Sequence, residues 1–320
     1  MDPAEDTEHH DITDDARRTI VAHLAHMRAE YGELIGDADL VEPNGDYFPD
    51  EFALEPAAIK ALMERVLSYA PLSADLDVEL VFVEPEGETK PGGGCGTGGC
   101  SPGKGGVQEV ARGGAVETDD GYAMLVVATD VGEPKLLTTT LARSTGRLVL
   151  FEAGEDVDPR MEGPLSELTA VACGLGTLLL NGSCVYKKAC SSMKRHKGTF
   201  LEVEEIALAL ALFVRAWDKK PGSVRKHLEV TQREAFDMAL AWVDGQPKLV
   251  RDLTDFPATL EDGLFELEEK KGLLSRLFTG RRDDDAPPAS IPVRAKPRSE
   301  EELRRIAETK ALVDEALQES

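Results

Sequence analysis

Apolar positions recur at helical spacing over much of the chain. Across residues 12–34, Ile20, Val21, Leu24, Met27 and Tyr31 fall on one face and predict a helix. Pro56 stands where a second helix starts, with Ile59, Leu62, Met63, Val66 and Leu67 as its stripe. Residues 77–84 (DVELVFVE) and 122–129 (YAMLVVAT) are rich in β-branched side chains and read as strands. Residues 165–181 predict a buried helix that stops at Asn181-Gly182. It contains Ala170, Ala172, Gly174 and Gly176. Each glycine costs about 1 kcal/mol in a helix interior, so close packing or a kink is expected there. Thr199-x-x-Glu202 reads as a capping box opening a helix over 203–217, apolar nearly all round and therefore central to the core. Residues 232–243 predict a further helix. Residues 135–150 are ambiguous. The leucines suit a helix, whereas Thr138, Thr139, Thr140 and Gly146 weaken one, and 147–151 can form a strand.

These elements imply an α+β protein, mainly helical, with a small β-sheet. An N-terminal helical segment (1–44) precedes an α+β domain (45–278) that contains a glycine- and cysteine-rich loop, PGGGCGTGGCSPGKGG (91–106). Prolines and charges keep 279–298 extended as a linker. Ser299-x-x-Glu302 then caps a C-terminal amphipathic helix (299–320) with Leu303, Ile306, Val313 and Leu317 as a narrow stripe, fit to dock on the body or to bind a partner.

Charge narrows the range of functions. The 320 residues include 60 acidic and 36 basic ones, for a net charge of −24. A phosphate backbone or an anionic membrane surface needs the opposite sign, so neither is expected as a partner. No apolar run is long enough to span a bilayer, and the polar, acidic start MDPAEDTEHHD has no signal-peptide pattern, which makes the cytoplasm the expected location.

Two stretches carry a family resemblance. One is YFPDEFALEPAAIKALMERVLSYAPLSADLDVELVFVE (47–84). The other runs between 133 and 217 and comprises EPKLLTTTLARSTGRLVL, ELTAVACGLGTLLLNGS and TFLEVEEIALALALFVRAW. Together they resemble an uncharacterised bacterial family of zincin-like, metal-dependent hydrolases. In that family a helix of the type L-V-A-T-L-A-H-E-L-A-H supplies two histidines one turn apart for zinc and a glutamate to activate its water. A later acidic residue closes the site. The resemblance implies a zincin-like helical core and sets Ala142 at the first histidine, Arg143 at the glutamate, Gly146 at the second histidine and Glu167 at the third ligand. None of the first three can do the required chemistry, and Arg143 repels a cation. The absence is general: no two of the six histidines (His9, His10, His23, His26, His196, His227) form H-E-x-x-H or H-x-x-E-H. His23 and His26 share a helix face and read as a solvated edge. Glu167 alone reads as a carboxylate favoured by a helix N-terminus.

Three features remain. Cys95 and Cys100 can ligate a soft metal or form a local disulfide, and no other cofactor is expected. The glycines around them do not make a phosphate loop, because Gly105 rather than Ser or Thr follows Lys104. Lys187, Lys188, Lys194, Arg195 and Lys197 form a basic patch with no acidic residue between 181 and 200, suited to an acidic protein partner or to internal pairing. The expected function is therefore a catalytically inactive metallopeptidase-like scaffold. The alternative is a metal or thiol-redox protein working through Cys95 and Cys100.

Overall fold

The computed structural model describes residues 12–83, 114–119, 121–188 and 193–267, with backbone alone for 187–188 and 193–195. The protein is α+β and mainly helical, as its periodicity requires. Helix α1 (Asp14–Ile35) begins at Thr13, whose hydroxyl accepts the Ala16 N–H at 3.2 Å, and buries Ile20, Val21, Leu24, Ala25 and Met27. Helix α2 (Pro56–Leu67) follows. Strand β1 (Val78–Val83) pairs in parallel with β3 (Tyr122–Val127), and β2 (Ala115–Glu117) pairs antiparallel on the other side of β3. The β1-β3-β2 sheet turns Val78, Met124, Val126 and Ala115 to the main core and Val81, Val116, Ala123 and Leu125 to a smaller cluster on its second face.

The ambiguous segment is a helix throughout. Helix α3 (Pro134–Glu152) has Pro134 in its first turn, where the missing N–H costs nothing. Burial on nearly every side, from Leu136 to Leu150, outweighs the weak propensity of its threonines. Three of the hydroxyls are bonded: Thr138 to the Pro134 carbonyl at 2.8 Å, Thr139 to Leu178 O at 2.9 Å and Thr145 to Leu141 O at 2.8 Å.

The single helix expected over 165–181 is two helices, α4 (Glu162–Ala172) and α5 (Gly176–Gly182). The break falls at Gly174, whose φ of +86° favours glycine. The chain at 39–41 crosses there, with Val41 N–H donating to Gly174 O at 3.0 Å, and a Cβ on Gly174 would collide with Asp39 O. Strands β4 (Val185–Lys188) and β5 (Met193–His196) form a hairpin. Helix α6 (Val203–Ala216) is the central core helix, but its cap is not the expected one. Glu202 is the N-cap and Glu205 the reciprocal partner, while the Thr199 hydroxyl donates instead to Leu201 O at 2.8 Å. Helices α7 (Pro221–Arg225), α8 (Val230–Asp244) and α9 (Pro247–Asp255) complete the described body. The linker 279–298 and the segment 299–320 lie outside the described residues.

Candidate functional site

Helices α3 and α4 cross closely in the molecule's centre, and Gly146 permits it. A Cβ on Gly146 would collide with Ser166 O and stand 2.8 Å from Ala170 N, so the two backbones touch at this point. Ser166 donates its hydroxyl back to Glu162 O at 2.6 Å, which keeps that side chain out of the crossing. One residue further along α4, Glu167 turns into the core. One turn earlier on α3, Arg143 does the same. Their side chains are 0% and 2% exposed, and Arg143 Nη1 lies 3.5 Å from Glu167 Oε1.

The loop from Gly198 to Leu201 closes over this pair. Arg143 Nη1 donates to Gly198 O at 2.6 Å, and its guanidinium lies over the Phe200 ring at 5.3 Å. The Phe200 and Leu201 N–H groups donate to Glu167 Oε1 and Oε2 at 2.8 and 2.9 Å. Phe200 also packs on Gly163, where any side chain would strike its ring. Burial pushes the Glu167 carboxyl upward from its ordinary range, and Arg143 with the two N–H groups pulls it back. Glu167 thus lies in the middle of α4 and is wholly buried, so its reading as a carboxylate at a helix N-terminus is corrected: the loop and Arg143 engage it.

A divalent cation does not fit this group. Ala142 is apolar and fully buried, Gly146 has backbone where an imidazole would need room, and the Arg143 guanidinium already stands beside the one carboxylate as its counter-charge. Among the described residues no cluster of three or more His, Cys, Asp or Glu side chains can hold a metal ion. A small surface cleft is lined by Arg147, Leu150, Phe151, Glu155, Val157 and Glu162, and neither Arg143 nor Glu167 lines it.

Comparison with family models, with curated proteins and with solved structures gives no match.

The remaining candidates separate in space. Cys95, Cys100 and Cys190 lie outside the described residues. Cys173 and Cys184 are free and buried, and burial raises the Cys173 thiol to about 12, which makes it a poor nucleophile. The basic patch maps onto the β4–β5 hairpin and the loop after it, with Lys187 opposite Lys194 in the backbone register. Lys197 pairs within the molecule, donating to Phe200 O at 2.9 Å and to Glu202 Oε1. No described helix is long and apolar enough to cross a membrane.

The two histidines of α1 depart from the solvated edge expected of them. His23 Nε2 lies 2.8 Å from Thr169 Oγ1 on α4, and burial together with the charge of His26 pushes its pKa down to about 3, Glu155 pulling weakly back. His26 is clamped by two carboxylates from distant parts of the chain. Its Nε2 is 2.9 Å from Glu155 Oε1, and its Nδ1 is 3.2 Å from Glu261 Oε2. The Tyr31 hydroxyl donates to the same Glu155 oxygen at 2.6 Å. Only the i,i+3 spacing on α1 hinted at this cluster; its carboxylates stand 129 and 235 residues away.

Proposed function

We propose that the chain is a catalytically inactive, zincin-like scaffold that binds or regulates an acidic protein partner in the cytoplasm. One observation carries the reading. Of the four positions at which the resemblance calls for zinc chemistry, Arg143 and Glu167 meet in the core, Gly146 forms the crossing beside them, and Ala142 is sealed in the same helix. On that resemblance, an internal cation stands at the position of the glutamate base, paired with the carboxylate at the position of the third ligand. The role of the pair is structural, since it clasps the loop from Gly198 to Leu201 that joins the basic hairpin to α6. A paired guanidinium offers no open coordination position, which metal-dependent hydrolysis requires. The sequence supports the choice of an acidic partner, because Lys187, Lys188, Lys194, Arg195 and Lys197 cluster with no acidic residue between 181 and 200.

The test is peptide hydrolysis by the full chain, with added zinc and with chelator. We expect no hydrolysis above the uncatalysed rate in either condition. Hydrolysis that zinc supports and chelator abolishes would overturn the proposal.

A further inference from the structure

His26 makes a demand on its proton that follows from geometry. A neutral imidazole has one N–H and one lone pair. Both ring nitrogens of His26 face carboxylate oxygens, at 2.9 and 3.2 Å. A lone pair aimed at a carboxylate is repulsive, so the arrangement is satisfied only by imidazolium, which donates from both nitrogens. The three groups belong to three separate parts of the fold. His26 is on α1, Glu155 lies in the turn after α3, and Glu261 lies in the segment 257–267 that follows α9. All three side chains are about one-third exposed, so water can deliver or remove the proton.

We propose that His26 is a proton-operated latch that fastens the segment 257–267 to α1 and to the turn after α3 when charged, and lets Glu261 go when neutral. This inference is independent of the proposed scaffold function. Among the described residues, Glu155, Glu261, Tyr31 and His23 are the titratable groups beside the ring. Tyr31 donates to Glu155 and leaves that carboxylate no need of a proton of its own. His23, whose ring centroid is 6.5 Å away, is bonded to Thr169 and stays neutral, so it does not compete as a second cation. Burial lowers the affinity of His26 for its proton, but the hydrogen bonds and charges of Glu155 and Glu261 outweigh it and raise its pKa above 6.5. On loss of the proton one contact must fail. Glu261 is the one to release, because its contact is the longer and Glu155 keeps the Tyr31 hydroxyl. The segment stays on the body through the buried Leu260 and through Arg18, whose Nε donates to Phe265 O at 3.4 Å.

The sign is fixed by the raised pKa. The latch contributes fully below 6.5 and is lost as pH rises through the folded-state value. On the acid side it is lost again once Glu155, whose carboxyl is held below its usual range against burial by Tyr31 and His26, takes up a proton.

The experiment is an NMR titration of the full chain, following the His26 ring and the exchange protection of the Gly263 amide, which donates to Leu260 O inside the segment. Protection is corrected for the intrinsic pH dependence of exchange. The His26 midpoint is expected above 6.5, with Gly263 protection falling about two- to five-fold across the same midpoint, as suits loss of a partly exposed pair. Glu261→Gln should lower the His26 midpoint and flatten the Gly263 response, and His26→Gln should abolish that response. A His26 midpoint at or below 6.5 overturns the proposal. So does Gly263 protection that is indifferent to the His26 titration, or a Glu261→Gln protein that titrates as the parent does. Because Glu261 is on the surface, the last variant remains readable if His26→Gln does not fold.

Discussion

Glu167→Gln is nearly isosteric and removes one charge from the centre of the protein. The carboxylate accepts two backbone N–H groups on different oxygens, from Phe200 on Oε1 and from Leu201 on Oε2. An amide offers one acceptor, so one N–H would face an NH₂ group and go unsatisfied, at a cost of about 1–3 kcal/mol. Arg143, with a side chain 2% exposed, would also lose the Glu167 charge beside it. Breaking a buried ion pair from one side costs roughly 3–5 kcal/mol. The guanidinium keeps Gly198 O at 2.6 Å and the face of Phe200, which places the total near the low end, about 3 kcal/mol. Against a stability of about 5–15 kcal/mol for a typical protein, the variant should fold but unfold at clearly lower urea. Urea denaturation of parent and variant, compared at equal m-value, measures the difference. A cycle with Arg143→Met should show a coupling of at least about 0.5 kcal/mol between the two sites. A loss below about 1 kcal/mol for Glu167→Gln, or strict additivity with Arg143→Met, would refute the claim that a coupled charge pair organises this core.

Other perturbations follow from the same contacts. Gly146→Ala should destabilise by about 1–3 kcal/mol in thermal or urea unfolding, since overpacking against Ser166 O and Ala170 N exceeds the roughly 1 kcal/mol that alanine gains in a helix; a neutral or stabilising result would show that the α3–α4 crossing is looser than described. His23 takes up a proton near 6.5 when unfolded but only near 3 when folded, so stability should fall as pH drops below 6.5. One proton separates the two states across that window, so the slope approaches about 1.4 kcal/mol per pH unit. His23→Gln should remove that slope between pH 6.5 and about 4.5, and equal slopes in parent and variant would count against a neutral, bonded His23.

The helical face of α1, the α2 stripe and the long strands were legible because their partners lie within their own periodicity. Elsewhere the deciding contacts are remote. Thr138, Thr139, Thr140 and Gly146 argue against a helix locally, and only burial on all sides of α3, with Ser166 O pressed against Gly146, makes one. The break between α4 and α5 needs Asp39 and Val41 to cross Gly174, a meeting of segments far apart in sequence. The capping box was displaced by one turn because Glu202-x-x-Glu205 is as competent as Thr199-x-x-Glu202, and the threonine was engaged elsewhere. A β2 of three residues is too short to show a period. Of the candidate site, Arg143 and Glu167 could be named from the chain, but the loop that clasps them could not: Gly198, Phe200 and Leu201 contribute backbone groups, which carry no side-chain signature. The partners of His26 were hidden by distance in the same way.

Metal content and hydrolysis measured together on the full chain carrying Cys95→Ser and Cys100→Ser, after zinc exposure and desalting, bear most directly on the scaffold reading. With the loop thiols removed, the buried Arg143–Glu167 pair should leave the protein without bound zinc and without peptidase activity. One equivalent of retained zinc, with hydrolysis that a chelator abolishes, would contradict it.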